Sequence, residues 1–156
     1  MGIDDMGAEA IPPRRVWQSP TWLVGHLAAD AQRLMLSNMS AAARTDYAVL
    51  SGLDEYGSLS QAAIGRRLGI DRSDVSAVVD RLEADGGVTR MVDPTHRSRK
   101  IVRLSAKGEQ RMEELDAQVR KAQQAFLGPL TEPEAAQLTR LLQLLVQHHR
   151  PYRRAT

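Results

Sequence analysis

LSQAAIGRRLGIDRSDVSAVVDRLEADGGVTRMVDPTHRSRKIVRLS, residues 59–105, reads as two short helices joined by a tight turn and followed by a hairpin. Ser60 is placed to cap the first helix, and Ile64 and Leu68 lie one turn apart on its apolar side. Gly69 can take the positive φ that ends that helix, and Asp71 or Ser73 can cap the next. Gly65 suits a place where two helices approach closely. In the second helix Val75, Val78, Val79 and Leu82 recur at i, i+3, i+4 and i+7, which is one buried stripe. Arg72, Ser73, Ser76, Ala77 and Asp80 then face outward as a short-chained, polar and nearly flat surface. A helix needs such a surface to lie against base edges in a major groove.

Val88–Val92 and Lys100–Leu104 are β-prone, and Asp93-Pro94-Thr95 between them is a turn signal. Arg90, Arg97, Arg99, Lys100 and Arg103 set five cations against one acid, Asp93. As a lone charge run this would be as readily a solvated hairpin as a functional one. Beside a well-formed helix-turn-helix it is the layout of a winged helix. The order of the strings, Asp80-Arg81-Leu82-Glu83, then Asp93-Pro94 with Arg97, then Leu104-Ser105 with Lys107-Gly108, resembles the MarR family of bacterial transcriptional regulators. No single string is specific; their order and spacing over roughly fifty residues is. Three positions depart from the family pattern: His96 where the wing usually has Asp, Ser98 where it often has Arg, and Gly87 where it usually has Leu. The first two alter the wing tip and remove the usual acid–arginine bracing there, and the third implies a looser join between second helix and wing.

The resemblance implies a mainly α protomer with a small β-hairpin wing, carried between N- and C-terminal dimerisation helices. Residues 1–17 are expected to be a partly flexible arm, 18–42 and 106–150 dimerisation helices, and 43–105 the DNA-binding lobe of a single protomer spanning 18–156. Ser60, Gln61, Arg72, Ser73, Ser76, Ala77, Arg97, Arg99 and Lys100 are the expected DNA-binding residues, with Arg97 at the wing position that reaches the minor groove. A two-fold dimer would hold its recognition helices roughly 34–36 Å apart and read a pseudo-palindromic operator in double-stranded DNA.

Composition narrows the alternatives. The chain has 156 residues, enough for one domain or one protomer, and its 42% apolar content builds a core from aliphatic residues because only 4% is aromatic. A formal charge of +2 with a pI near 9.3 is compatible with nucleic-acid binding without requiring it. There is no cysteine, hence no disulfide, no thiolate metal site and no thiol-based peroxide sensing. No apolar run approaches 18 residues, and the acidic start MGIDDMGAEA lacks a basic n-region, so a cytoplasmic location is expected.

Outside the central stretch, Ser19-Pro20 opens a helix whose Leu23, Leu27, Ala31 and Leu34 form a stripe widened by Trp22, Met35 and Met39. Residues 38–45 read as a connector with Ser40 or Thr45 as cap, and 46–56 as the helix before the helix-turn-helix. Ser105 caps a helix to about 127, with Met112, Leu115, Val119, Ala122 and Phe126 as a packing seam. Gly128-Pro129 breaks it, and Thr131 to Glu134 is a capping box for a last helix with Leu138, Leu141, Leu142, Leu145 and Val146 on one face. The terminal RPYRRAT is a basic tail.

No nucleophile with its base, carboxylate pair or phosphate-binding loop stands out, so no catalysis, cofactor or metal is expected. His148-His149 falls at a helix C-terminus, where the dipole favours a cation. His26, at the margin of the first stripe, is either a partly buried helix residue or a hydrogen-bond donor to a small molecule. The family resemblance implies a pocket for small aromatic acids between the first helix and the reader. Arg15, Trp17, Trp22 and His26 would then supply the cation and aromatic wall for a phenolic or aromatic carboxylate. The function expected is a dimeric sequence-specific regulator, a repressor released by such an effector. The competing readings are a non-specific architectural DNA binder and a winged-helix protein-interaction module. The polar recognition face speaks against the first and the cationic wing against the second.

Overall fold

The computed structural model describes residues 12–149. The acidic opening segment and the basic tail lie outside them. Among the described residues, seven helices and one hairpin follow in the order α1 (Arg14–Trp17), α2 (Pro20–Asn38), α3 (Ala41–Tyr56), α4 (Gln61–Leu68), α5 (Arg72–Ala84), β1 (Val88–Val92), β2 (Lys100–Leu104), α6 (Ala106–Leu127) and α7 (Glu132–His149). Residues 32–122 form one compact unit; the described residues before and after it form a second.

The unit of residues 32–122 holds the core. Val49 and Leu50 of α3, Ile64 of α4, Val75 and Val79 of α5, Val88 of β1, Val102 of β2 and Leu115 of α6 are each at most 1% exposed. The α5 stripe is buried as its spacing requires, with Val78 and Leu82 completing it. Leu115, Val119 and Ala122 of the α6 seam are buried too, and Met35 packs against this core beside the buried Met39. Each such side chain contributes about 1.5–3 kcal/mol relative to exposure, which is how so few aromatics suffice.

Local signals explain the helix ends. Ser40 Oγ accepts from Ala43 N at 3.1 Å, so α3 starts at Ala41 and Thr45 lies inside it, a turn earlier than the sequence suggests. Ser60 Oγ does the same for Ala63 N. Asp71 takes the N-cap place of α5 without a side-chain cap bond. Gly69 sits at φ 66°, ψ 35°, the left-handed conformation that only glycine adopts without strain. Gly65 is explained by the turn that follows: a Cβ there would lie 2.9 Å from the Ile70 carbonyl oxygen. Thr131 N and Oγ1 both donate to Glu134 at 2.8 and 2.7 Å, which forms the glutamate half of the capping box of α7 and lowers the Glu134 pKa.

Two ties reach across the core. Arg81 of α5 donates to the buried Asp46 of α3, and at 3.5 Å to the Ala42 carbonyl. Tyr47 Oη donates to Asp116 of α6 at 2.6 Å, and Arg120 holds the other carboxylate oxygen at 2.6 Å.

In the second unit, α7 buries none of its residues, and Leu141, Leu142, Leu144, Leu145 and Val146 are between 39% and 52% exposed. Among the described residues no helix is long and apolar enough to cross a membrane.

Candidate nucleic-acid interface

The hairpin forms as its sequence predicts: β1 and β2 pair antiparallel, with Val88 opposite Leu104 and Arg90 opposite Val102. An additional anchor carries no sequence signal, since it is a single residue pair. Leu59 N donates to Val102 O at 3.1 Å and Val102 N to Leu59 O at 2.7 Å, fixing β2 to the segment before α4.

The tip is braced by Asp93 rather than by position 96. Its carboxylate accepts from Thr95 N at 2.8 Å and Thr95 Oγ1 at 2.7 Å, while His96 N donates to the Asp93 carbonyl at 3.2 Å. The Thr95 hydroxyl, then its backbone N–H, hold the Asp93 carboxyl below its ordinary range. Thr95 Oγ1 also meets His96 Nδ1 at 2.9 Å, so the His96 ring belongs to the turn. The absence of an acid at position 96 therefore leaves the wing braced, from three residues earlier.

The expected looseness at Gly87 is not found. Gly87 N donates to Leu82 O at 2.8 Å, and Gly87 O accepts from Ser105 N at 3.1 Å. Ser105 Oγ donates to Gly86 O at 2.7 Å and accepts from Gly108 N at 3.1 Å, linking the join to the start of α6.

Of the residues expected to meet DNA, Arg72, Ser73 and Ala77 are exposed on α5, with Ser76 half-buried beside them. Arg97, Arg99 and Lys100 are exposed around the wing tip. Ser60 and Gln61 are half-buried at the α4 N-terminus, where the Ser60 oxygen is engaged as the cap. Gln61 Nε2 is buried without a hydrogen-bond partner. Arg90 must be taken out of the cationic count. Its guanidinium is bound by Asp80 and Glu83 of α5, and its side chain is only 18% exposed. Burial opposes its charge, but the hydrogen bonds to both carboxylates outweigh this and raise its pKa. The period-two alternation already places Arg90 on the same inward face as Val88.

The aromatic residues expected near a small-molecule site do come together. Trp22 stacks on His26 with ring centroids 3.7 Å apart, and Trp17 meets Trp22 edge-on at 6.1 Å. Thr21, Trp22, Gly25, His26, Ala29 and Asp30 line an open, shallow depression along α2. Arg15 is exposed on α1. His26 Nδ1 lies 3.1 Å from the Trp22 carbonyl oxygen, which only accepts, so in the neutral ring Nδ1 carries the proton. Nε2 is then an acceptor, the reverse of the donor role expected.

Two helices joined by a left-handed glycine turn, with a braced hairpin after the second, define a winged helix-turn-helix. Residues 42–97 match the model of the MarR family. Over 99 residues the chain is 30% identical to a protein described as a transcriptional regulator of the hcr operon in Thauera aromatica, covering 64% of this chain and 60% of that protein's length. Among solved structures it is similar to PcaV, a transcriptional regulator from Streptomyces coelicolor in complex with its natural ligand. The TM-score is 0.68 and the identity 27%, covering 88% of this chain and 98% of PcaV. It shares its fold with Bordetella bronchiseptica BpsR, whose DNA binding is regulated by 6-hydroxynicotinic acid. There the TM-score is 0.71 at 22% identity, covering 86% of this chain and 97% of BpsR. The chain is thus similar to winged helix-turn-helix regulators of the MarR family, the family model matching the lobe of residues 42–97.

Proposed function

We propose that the protein is a dimeric, sequence-specific DNA-binding repressor released by a small aromatic acid. The observation that carries the DNA reading is the exposed α5 face of Arg72, Ser73 and Ala77 followed by a wing tip with Arg97, Arg99 and Lys100 exposed. Short polar groups on α5 suit base-edge contact in the major groove, and the wing cations suit phosphates and the narrow minor groove. Dimerisation is supported by the leucine-rich face that α7 leaves exposed. The effector reading is supported by the stacked Trp22–His26 pair, which offers an aromatic wall and one acceptor nitrogen. A phenolic hydroxyl would donate to Nε2 while the carboxylate reaches a guanidinium such as Arg15.

The test is selection of bound duplexes from a random-sequence pool, followed by anisotropy titrations at two salt concentrations. A recovered motif with two related half-sites is expected, bound at least a hundredfold more tightly than random DNA. Arg97→Ala should weaken binding to it by about 1–3 kcal/mol and lower the salt slope by about 1. Recovery of no motif, with equal affinity for all duplexes, would establish an architectural binder instead. No DNA binding at all would leave the protein-interaction reading.

A further inference from the structure

The join between recognition helix and wing is Asp85-Gly86-Gly87, and Gly86 stands at φ 76°. The backbone bonds at Gly87 and the Leu59–Val102 pair hold the base of the hairpin, up to the level of Arg90 and Val102, and nothing in them reaches the strands beyond. The wing projects from that base. From Arg90 to Arg97 the strand and turn extend about 15 Å, so a swing of about 10° pivoting at the level of Arg90 moves the tip by about 3 Å. That displacement equals a whole hydrogen-bond length.

One side chain spans this join. Arg90 occupies the second inward-facing position of β1, opposite the buried Val102. One guanidinium nitrogen donates to Asp80 and the other to Glu83, residues one turn apart on α5. The Arg90 backbone N–H donates to the remaining Glu83 oxygen at 3.1 Å. Glu83 thus grips both the main chain and the side chain of one residue, and Asp80 adds a third point. Three contacts from two helix positions leave the strand little freedom to swing. An arginine suits this task because its fork is planar and rigid.

We propose that Arg90 is a positioning residue for DNA recognition, clamped by Asp80 and Glu83 so that α5 and the wing meet the duplex at one fixed angle. The proposal rests on the DNA-binding reading above. Arg90 itself does not reach phosphate in this role, and Asp80 and Glu83 serve as its fixed anchors rather than as base readers.

The variant that separates this role from plain electrostatics is Glu83→Gln. Removing a carboxylate from a DNA-facing lobe should tighten binding to every duplex if charge alone matters. If the clamp matters, binding to the selected fragment weakens instead. Anisotropy titrations compare that fragment with a random duplex of equal length, for the unmodified protein, Arg90→Gln, Glu83→Gln, the double variant and Arg90→Lys, at two salt concentrations. The expected result is a loss of about tenfold or more in the selected-over-random ratio for Arg90→Gln, with the affinity for random DNA and the salt slope nearly unchanged. Glu83→Gln should lose ratio in the same direction, the double variant should be no worse than Arg90→Gln, and Arg90→Lys should fall between. A role in folding alone would lower the melting temperature but leave the ratio intact at temperatures where the chain is folded, and that result overturns the proposal. So does a salt slope lower by about 1 for Arg90→Gln, which marks a direct phosphate contact. Equal or tighter binding by Glu83→Gln overturns it too. Should Arg90→Gln fail to fold, Glu83→Gln and Asp80→Asn decide alone. An unmodified protein without sequence preference would defeat the DNA reading and this proposal together, whereas a selective parent with unaffected variants defeats only the clamp.

Discussion

Gly108 in the first turn of α6 lies directly against Gly87 at the root of the wing: a Cβ on Gly108 would stand 2.1 Å from the Gly87 carbonyl oxygen. That oxygen is held by Ser105 N, so it cannot swing aside without breaking the join. The Gly108→Ala variant therefore sets two effects against each other. Replacing glycine within a helix gains up to about 1 kcal/mol in propensity. The clash is with backbone, and relieving it means moving β1 or α6, at a cost of about 3 kcal/mol or more. Net destabilisation by at least about 2 kcal/mol is expected in urea unfolding. Gly87→Ala is the contrast, since its nearest neighbour would be Leu82 O at an ordinary 3.5 Å and its φ is not left-handed. It should cost less than about 1 kcal/mol. Equal stability of Gly108→Ala and the parent would show that the two segments do not pack as described.

The close approach also explains why Leu104-Ser105 with Lys107-Gly108 could be matched as a string but not understood as one. Ser105 and Gly108 act on residues 86 and 87, and nothing in linear spacing says so. Likewise Arg81 is legible as part of the helix-end string, while its partner Asp46 lies 35 positions away. Residues 59–105 were otherwise open to direct reading, because helix stripes, a left-handed glycine and period-two strands are local signals. The sequence reading misplaces the α3 start at residue 46, with 38–45 as a connector. Ser40, one of the two caps the sequence offers, is the cap, and the three alanines after it are strong helix formers that outweigh Thr45 as a boundary. The candidate site was legible in its exposed residues but not in its charge. Arg90 counts as a surface cation in composition and as an internal counter-ion in three dimensions.

Tyr47 gives the lobe an alkaline limit. Its hydrogen bond to Asp116, then burial, raise the phenol pKa above the ordinary 10.0. A raised folded-state value means that the neutral form is favoured in the fold. The resulting stability is fully present below pH 10 and is lost as pH rises through the higher folded value. Tyr47→Phe should cost about 1 kcal/mol at neutral pH, because Asp116 is partly solvated and keeps Arg120. The same variant should flatten the stability profile above pH 10. Chemical denaturation at pH 7, 9 and 11 checks both; a parallel alkaline decline in the variant would assign that limit to other groups.

The effector reading makes a prediction about ligand chemistry. With Nδ1 of His26 committed to the Trp22 carbonyl, the outward nitrogen accepts, so hydroxylated aromatic acids should act where unsubstituted ones are weaker. A ligand shifts DNA binding only by its differential affinity for the two states, typically about 1–3 kcal/mol. Anisotropy titrations on the selected duplex with benzoate, hydroxybenzoates and dihydroxybenzoates should show weakening in that order. His26→Ala and Arg15→Ala should blunt the response while leaving binding without ligand unchanged. If no compound moves the parent's curve, the aromatic-acid reading fails. If one does and both variants respond as the parent does, the ligand sits away from Trp22 and His26.

Assembly can be weighed on the exposed face of α7. Covering Leu141, Leu142, Leu144, Leu145 and Val146, each 39–52% exposed, removes about half a side chain's apolar surface apiece. At about 1 kcal/mol each that yields about 5 kcal/mol. Association costs about 4–15 kcal/mol, so α7 alone is marginal and further apolar surface must join it. Val24, Leu27 and Leu36 of α2, 45–48% exposed, are suited to supply it. A dimer balanced this closely should not survive a carboxylate placed in the seam, which adds a desolvation penalty of several kcal/mol to the loss of one leucine. Sedimentation at micromolar concentration should find the parent dimeric. Leu141→Glu and Leu23→Glu should be monomeric or unfolded, with circular dichroism separating the two. Gln143→Glu, which adds the same charge to α7 without removing an apolar side chain, should remain dimeric. A folded monomer for the parent would refute the architecture, and dissociation by Gln143→Glu would show that charge on the helix, not the leucine seam, controls assembly.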